Sequence, residues 1–402
     1  MKFVIIGAGQ AGATAAAKLR ELQPDSQITL IGDEPAPPYQ RPPLSKAYLK
    51  GELPLERMFL RPERFYSEHR IDLRTGVEVQ ALHTAARSVV LKDGTTLDYD
   101  AALLATGSAA IALPDAITGG LAGIFAMRGL ADADRLRDRL KPGLRALVVG
   151  GGYIGLEAAA VLAAMDCRVT LVEAGPRILG RVASAPTADH IRALHAARGV
   201  DLREGEHLVR LTGRDRVERA VLGSGEELEI DIVIVGIGIR PATGLAEAAG
   251  IEVDNGIVVD DTCRTSDPHV WAAGDCAAFP FEGRRIRLES VGNAIDQAEC
   301  AARNMAGETV RYAAKPWFWS DQYDMKLQIA GLSTATDQTV MRHDGDVLQS
   351  VWYLRDGHLV AVDAFQAPRD YMVGKRLVEA GAKVDPDQLA DPTVELKSLL
   401  KA

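Results

Sequence analysis

With 402 residues the chain is long enough for two or three domains and for large buried cores. Charged residues at 25% and hydrophobic ones at 47% describe an ordinary soluble globular protein. The formal net charge of -9 disfavours nucleic acid or an anionic membrane as partner of the whole surface, and with no span-length apolar run and no room for a targeting segment before residue 3, the expected location is the cytoplasm.

Phe3 to Ile6 is an apolar run rich in β-branched residues, read as the first and central strand of a parallel sheet, buried on both faces. In the glycine-rich stretch that follows, Gly7 allows a tight turn, Gly9 lets backbone approach a pyrophosphate, and Gly12 lets the next helix pack closely on the strand. That helix, Ala11 to about Leu22, points its N-terminal N–H groups at the phosphate. A second run, Ile28 to Ile31, ends at Gly32-Asp33-Glu34, placing carboxylates about 20 residues beyond the turn, where a ribose hydroxyl needs an acceptor.

The proline-rich stretch Pro35 to Lys46 reads as a stiff extended loop feeding a short helix near Ser45 to Leu49 and aiming Arg41 and Lys46 at a cofactor. Asp72-Leu73-Arg74, Val77 to Leu82 and Ser88 to Leu91 read as a small antiparallel insertion. Ala101 to Ser108 returns to the main sheet and ends in small residues that let backbone pass close to a flat ligand. Ala146 to Glu157 repeats the opening device, and the strand Arg168 to Glu173 again ends in an acid, so the chain is expected to bind two dinucleotides. Leu228 to Pro241 closes this inserted domain.

Gly256 to Val259 and Val270 to Cys276 read as strands of the first domain, which is therefore discontinuous. Asp275 is placed either to accept a hydrogen bond from a polyol chain or to cap the next helix. From Pro316 a third α+β domain is expected, with strands at Leu327 to Ala330, Val347 to Leu354 and Leu359 to Val362, and helices near Tyr371 to Ala380 and Val394 to Leu400. Its Trp317 and Phe318 read as core. The expected fold class is α/β: two Rossmann-like dinucleotide-binding domains in a glutathione-reductase-like architecture, plus a C-terminal α+β domain. The boundaries are 1–113 with 243–316 for FAD, 114–242 for NADH, and 317–402. Cys167, Cys263, Cys276 and Cys300 show neither a C-x-x-C pair nor metal-ligand spacing and read as free, buried thiols.

Over essentially its whole length the chain resembles the flavin-dependent NADH:ferredoxin reductases of bacterial oxygenase systems, the putidaredoxin reductase type. The resemblance rests on Gly7-Ala8-Gly9, Arg41 to Lys46, Ala105-Thr106-Gly107, Gly150 to Glu157, Gly236-Ile237-Gly238, Ala273-Gly274-Asp275, Glu289-Ser290-Val291 and Trp317 to Gln322. It implies FAD on the first site, NADH on the second, and a [2Fe–2S] ferredoxin acceptor serving a cytochrome P450 or other oxygenase.

Carried over by position, FAD would meet Gly7, Gly9, Ala11, Gly12, Asp33, Arg41, Lys46, Val79, Ala105, Thr106, Gly107, Arg128, Gly274, Asp275, Val291 and Trp319. Asp33 is taken as the ribose acceptor, with Glu34 as second choice. NADH would meet Gly150, Gly152, Tyr153, Ile154, Gly155, Glu157, Glu173, Gly236, Ile237 and Gly238. The catalytic group would be Lys46 paired with Glu157 by the flavin N5 edge, and Trp319 beside the isoalloxazine. A carboxylate at Glu173 is expected to favour NADH over NADPH.

A disulfide or peroxide reductase of this architecture needs a cysteine in the Tyr39 to Lys46 loop or the helix after it, and none is present. A monodehydroascorbate-type radical reductase and an NADH-sensing interaction module similar to apoptosis-inducing flavoproteins stay open as alternatives. For an acidic ferredoxin, Arg64, Arg284, Arg285, Arg287 and Lys326 are candidate docking cations.

Overall fold

The computed structural model describes every residue except Ala335 and Ala402. The chain forms two compact units, one of Met1–Gln40, Pro54–Ala109 and Ile239–Pro316, the other of Arg41–Leu53, Ala110–Gly238 and Trp317–Ala402.

The first unit is built on a parallel sheet in the order Val270–Ala272, Ala101–Leu104, Lys2–Ile6, Gln27–Ile31, Ile71–Arg74, with the opening strand in the centre. Side chains alternate across a strand, so Phe3 and Ile5 enter one core while Val4 and Ile6 enter another. Both faces are covered, which is why the run is continuously apolar. On the first face lie the helices Gln10–Leu22 and Val291–Met305, whose facing alanines, Ala11, Ala15, Ala294 and Ala298 among them, join the same core. On the second lie Leu82, Val89 and Leu91 of an antiparallel sheet, Val79–His83, Ser88–Leu91 and Thr96–Asp98.

One expectation is corrected here. Asp72 to Arg74 belongs to Ile71–Arg74, which pairs parallel with Gln27–Ile31 and is the edge of the main sheet, not part of the antiparallel insertion. The two later strands expected in this unit are present: Val270–Ala272 joins the main sheet, and Ile257–Val258 pairs with Ala277–Phe281 in a separate small one.

The second unit repeats the construction: a parallel sheet ordered Asp201–Glu204, Arg168–Glu173, Arg145–Val149, Ile232–Val235, Ile124–Ala126. Ala146 and Val148 face a core shared with the helix Tyr153–Ala164, while Leu147 and Val149 face the antiparallel strands Leu208–Thr212 and Arg219–Leu222. The loop that the first unit leaves out is here too, with Pro42–Ser45 as a short 3-10 turn where a helix was expected from Ser45. Two prolines lack N–H donors, and the Lys46 N–H closes onto the Pro43 carbonyl instead of continuing an α-helix.

The C-terminal part of this unit is an antiparallel sheet ordered Trp317–Gln322, Met325–Gly331, His358–Phe365, Val347–Arg355, Gln338–Asp344, backed by the helix Pro368–Glu379. The expected helix at Val394 is a 3-10 segment, Leu396–Lys401. Arg342 is buried and donates to the carbonyls of Leu389, Asp391, Pro392 and Val394, so the Val394 carbonyl is spent on a guanidinium. Trp317 and Phe318 are half-buried, not core: Phe318 lies 4.9 Å from the Tyr153 ring, and Trp317 sits under the Lys375 ammonium at 5.5 Å. Among the described residues no helix is long and apolar enough to cross a membrane.

Within this unit the Asp363 carboxylate is buried and accepts from the hydroxyls of Tyr353 at 2.5 Å and Thr187 at 2.7 Å. Burial pushes its carboxyl up to about 6, against the pull of those two donors. An acid that titrates higher in the fold than in the unfolded chain contributes stability while protonated and loses it as pH rises through the folded pKa. Compared with Asp363→Asn, the native protein is therefore expected to lose about 3 kcal/mol of unfolding free energy between about pH 3 and pH 7. Urea titrations of both proteins across that range check this; a difference that does not move with pH contradicts it.

Candidate functional site

The glycine turn of the first unit shows which glycines the chain needs for itself. Gly7 has φ +109°, and a Cβ there would lie 2.1 Å from the Ala105 carbonyl oxygen; at Gly12 it would lie 1.9 Å from the Gly7 carbonyl. Both are demanded by backbone packing. A Cβ on Gly9 would meet no protein atom within 4 Å, and Gly9 has an extended φ of -85° that any residue adopts. Nothing in the polypeptide requires a glycine at that position. A group approaching from outside would, and the helix behind it has neither a side-chain cap nor an acid in its first turn, so its N–H groups face that space unspent. The donor set fits a dinucleotide pyrophosphate.

Of the remaining first-unit residues, Ala105, Thr106 and Gly274 lie at this turn. Gly274 has φ +84°, a Cβ there would lie 3.2 Å from the Ala11 side chain, and its N–H donates to the Gln297 side-chain oxygen at 2.9 Å. Asp275 accepts from the Ser108 hydroxyl at 2.9 Å, and Thr106 donates to the Ala242 carbonyl at 2.6 Å. Asp33 is exposed, whereas Glu34 accepts from the Tyr39 hydroxyl at 2.6 Å, so Asp33 is the more open of the two carboxylates. Val79 begins the antiparallel sheet, and Val291 begins a helix capped by Ser290.

In the second unit the same logic recurs. A Cβ on Gly150 would lie 2.5 Å from the Gly236 carbonyl and one on Gly155 2.0 Å from the Gly150 carbonyl, while one on Gly152 would meet nothing within 4 Å. Gly236 thus backs this turn as Ala105 backs the first. Ile154 is 43% exposed, an apolar side chain held open in the first turn of the helix. Glu173 accepts from the N–H of Gly151 and of Gly175, each at 2.7 Å, which fixes both carboxylate oxygens. Burial raises the Tyr153 hydroxyl well above the usual phenol range.

The helix that starts at Gly152 carries Glu157 inward, where 3% of it is exposed. One carboxylate oxygen accepts from Lys46 Nζ at 2.7 Å and from the Ser45 hydroxyl at 2.9 Å; the other accepts from the Ser320 hydroxyl at 2.8 Å. Arg41 donates to the Arg128 carbonyl at 2.9 Å, which joins two more predicted residues in this unit. Ser45 and Ser320 were missed. For Ser320 the signal is a polar residue on the same strand face as Phe318 and Gln322, the face that meets Tyr153, Glu157 and His195. Trp319 occupies the opposite face and stacks on Trp317 at 5.5 Å, so the structure does not bring its ring into the Lys46–Glu157 cluster.

All four cysteines are free and buried. Of the docking candidates, Arg287 is largely buried, with 10% of its side chain exposed, and donates to the carbonyls of Asn255 and Asp275; Arg285 pairs with Asp254 at 2.9 Å. Arg287 is therefore a strut of the first unit, and Arg285 a neutralised surface charge. Arg64 and Lys326 are exposed.

Residues 1–298 match the family described as pyridine nucleotide-disulphide oxidoreductase, and residues 317–400 match the family described as reductase C-terminal. The 5,5'-dehydrodivanillate O-demethylase ferredoxin reductase subunit of a Sphingobium species is 44% identical, with 99% of this chain and 98% of that protein covered. Putidaredoxin reductase of Pseudomonas putida is 39% identical over 99% of this chain and 96% of its own length. The crystal structure of the covalent putidaredoxin reductase–putidaredoxin complex superposes with a TM-score of 0.96 at 38% identity, covering 100% of this chain and 98% of that one.

Proposed function

We propose, from the premise that the chain belongs to the pyridine nucleotide-disulphide oxidoreductase family, that it is an FAD-dependent NADH:ferredoxin reductase. Its electrons go to a [2Fe–2S] ferredoxin that serves an oxygenase such as a cytochrome P450. The observation that carries this reading is the pair of glycine turns, each with one glycine open to a ligand, in a chain similar throughout to ferredoxin reductases. Bound FAD supplies a centre that takes two electrons as hydride and releases them singly, as a one-electron iron–sulfur partner requires.

The protein's own part is binding and orientation. Gly9 and its helix end hold one pyrophosphate, Gly152 and its helix end the other, and Asp33 and Glu173 take the riboses. Glu157 lies just beyond the Gly152 turn on the same helix, and the Lys46 ammonium held on it sets the polar edge against which nicotinamide is placed for transfer to the flavin. We keep Trp319 as the residue beside the isoalloxazine, and the division into 1–113 with 243–316, 114–242 and 317–402 as the FAD, NADH and C-terminal domains.

Assay of NADH oxidation against a [2Fe–2S] ferredoxin, ascorbate radical and peroxide tests the activity: fast turnover with ferredoxin alone is expected, and turnover only with the radical or with peroxide contradicts it. Lys46→Ala is expected to slow flavin reduction at saturating NADH by roughly tenfold with FAD content unchanged, because Glu157 loses a charge-assisted bond while the two serines still hold it. Unchanged reduction kinetics in rapid mixing would remove Lys46 from the mechanism.

A further inference from the structure

Beyond the Glu157 carboxylate the hydrogen bonds continue, and their direction can be worked out atom by atom. A carboxylate only accepts, so the single hydroxyl hydrogen of Ser320 goes to Glu157, and the Ser320 oxygen is left to accept from Gln322 Nε2 at 3.1 Å. With its nitrogen so used, the Gln322 amide turns its oxygen to His195 Nε2 at 2.8 Å, and that ring nitrogen must donate. In a neutral imidazole the other nitrogen then accepts, and Tyr323 supplies a hydroxyl 3.1 Å from Nδ1. Ser320, Gln322 and His195 are fully buried, and burial lowers the His195 pKa, which keeps the ring neutral. Every donor therefore points the same way, from Tyr323 toward Glu157.

We infer that Ser320 is the positioning residue of the Lys46–Glu157 pair, and that Gln322, His195 and Tyr323 hold it in a one-way hydrogen-bond chain that fixes the carboxylate's orientation. This rests on the reading of Lys46 and Glu157 given above. The other Glu157 oxygen is shared by Lys46 and Ser45, so the Ser320 hydroxyl decides the tilt of the carboxylate plane and with it the aim of the ammonium. Ser320 and Gln322 sit on Trp317–Gln322, the first strand of the C-terminal sheet. The segment similar to the reductase C-terminal family thus reaches the nicotinamide-side machinery through two side chains spaced by the period of a β-strand.

The test combines a spectrum with a set of variants on the FAD-loaded, full-length protein. In protein labelled with 15N-histidine, His195 is expected as the Nε2–H tautomer, and as a mixture in Ser320→Ala, where the Gln322 amide has lost its acceptor and is free to turn. A Nδ1–H tautomer in the unmodified protein overturns the chain. Ser320→Ala is expected to slow flavin reduction by NADH about tenfold, Ser320→Thr to restore it, and Ser320→Ala to add nothing in a Glu157→Ala background. If Glu157→Ala slows reduction and Ser320→Ala does not, this inference fails and the reading of the pair stands. If Glu157→Ala itself leaves reduction unchanged, that reading fails first.

Discussion

Replacing Gly9 with valine is expected to leave the folded polypeptide nearly as stable as before and to abolish FAD retention. The two outcomes separate because a Cβ at this position meets no protein atom within 4 Å, while the side chain it carries fills the space in front of the helix N-terminus. Valine there costs at most about 1 kcal/mol as a poorer N-cap than glycine. For the cofactor the change is severe: losing two or three charge-assisted bonds from backbone N–H groups to a pyrophosphate is worth roughly 4 kcal/mol, about a thousandfold in Kd. Denaturant unfolding has to be compared on FAD-free wild type and variant, since bound FAD stabilises the wild type by mass action. Gly12→Ala is the contrasting change: its Cβ would stand 1.9 Å from the Gly7 carbonyl, so it should damage the fold itself. A Gly9→Val protein that retains FAD would show that the pyrophosphate lies elsewhere.

Selectivity for NADH is expected to be about a hundredfold in kcat/KM over NADPH, and to be weakened or reversed by Glu173→Arg. The Glu173 carboxylate is tethered by two backbone N–H groups, at Gly151 and Gly175, so it cannot swing aside for a 2′-phosphate. Two negative groups would then meet at contact distance in a partly dry cleft. Arg177, the cation nearest in sequence, donates to the carbonyls of Ala183 and Ser184 at 2.8 Å and 3.1 Å, so its guanidinium is already spent on the loop. Because Glu173→Arg also frees the two glycine N–H groups, the loss with NADH should exceed the gain with NADPH. Steady-state kinetics with both coenzymes decide this; equal kcat/KM in the unmodified protein sinks the assignment.

The glycine turns were legible because their requirements are local: a strand, a turn with positive φ and a helix lie within a dozen residues of one another. The order of the sheet was legible at Lys2–Ile6 for the same reason, since burial on both faces leaves a run with no polar alternation. Ile71–Arg74 was placed wrongly because an edge strand of four residues carries Asp72 and Arg74 on its open side, and nothing within it specifies a parallel partner some forty residues earlier. The placement of Arg287 was hidden on the same grounds: a cation looks alike in sequence whether its guanidinium stands in water or donates to the Asp275 carbonyl. Lys46 and Glu157 were within reach of sequence, but Ser320 was not. Its partner is 163 positions away, and only strand alternation marked it as facing inward.

The strand order of the first unit also governs what happens while the chain is being made. Val270–Ala272 pairs with Ala101–Leu104, and Val291–Met305 closes the face on which Gln10–Leu22 lies, so the sheet begun at residue 2 lacks its last strand and second helix until residue 305 has left the ribosome. At about 5–20 residues per second that is a delay on the order of tens of seconds. Meanwhile the strands of the second unit's parallel sheet, all between Ile124 and Val235, are synthesised, but one face of that sheet shares its core with Leu327, Val351, Tyr353 and Phe365, so this unit is completed only after the first. The early half of the first sheet waits with an open, apolar strand edge, the stretch of the chain with most to gain from a chaperone or from early capture of FAD.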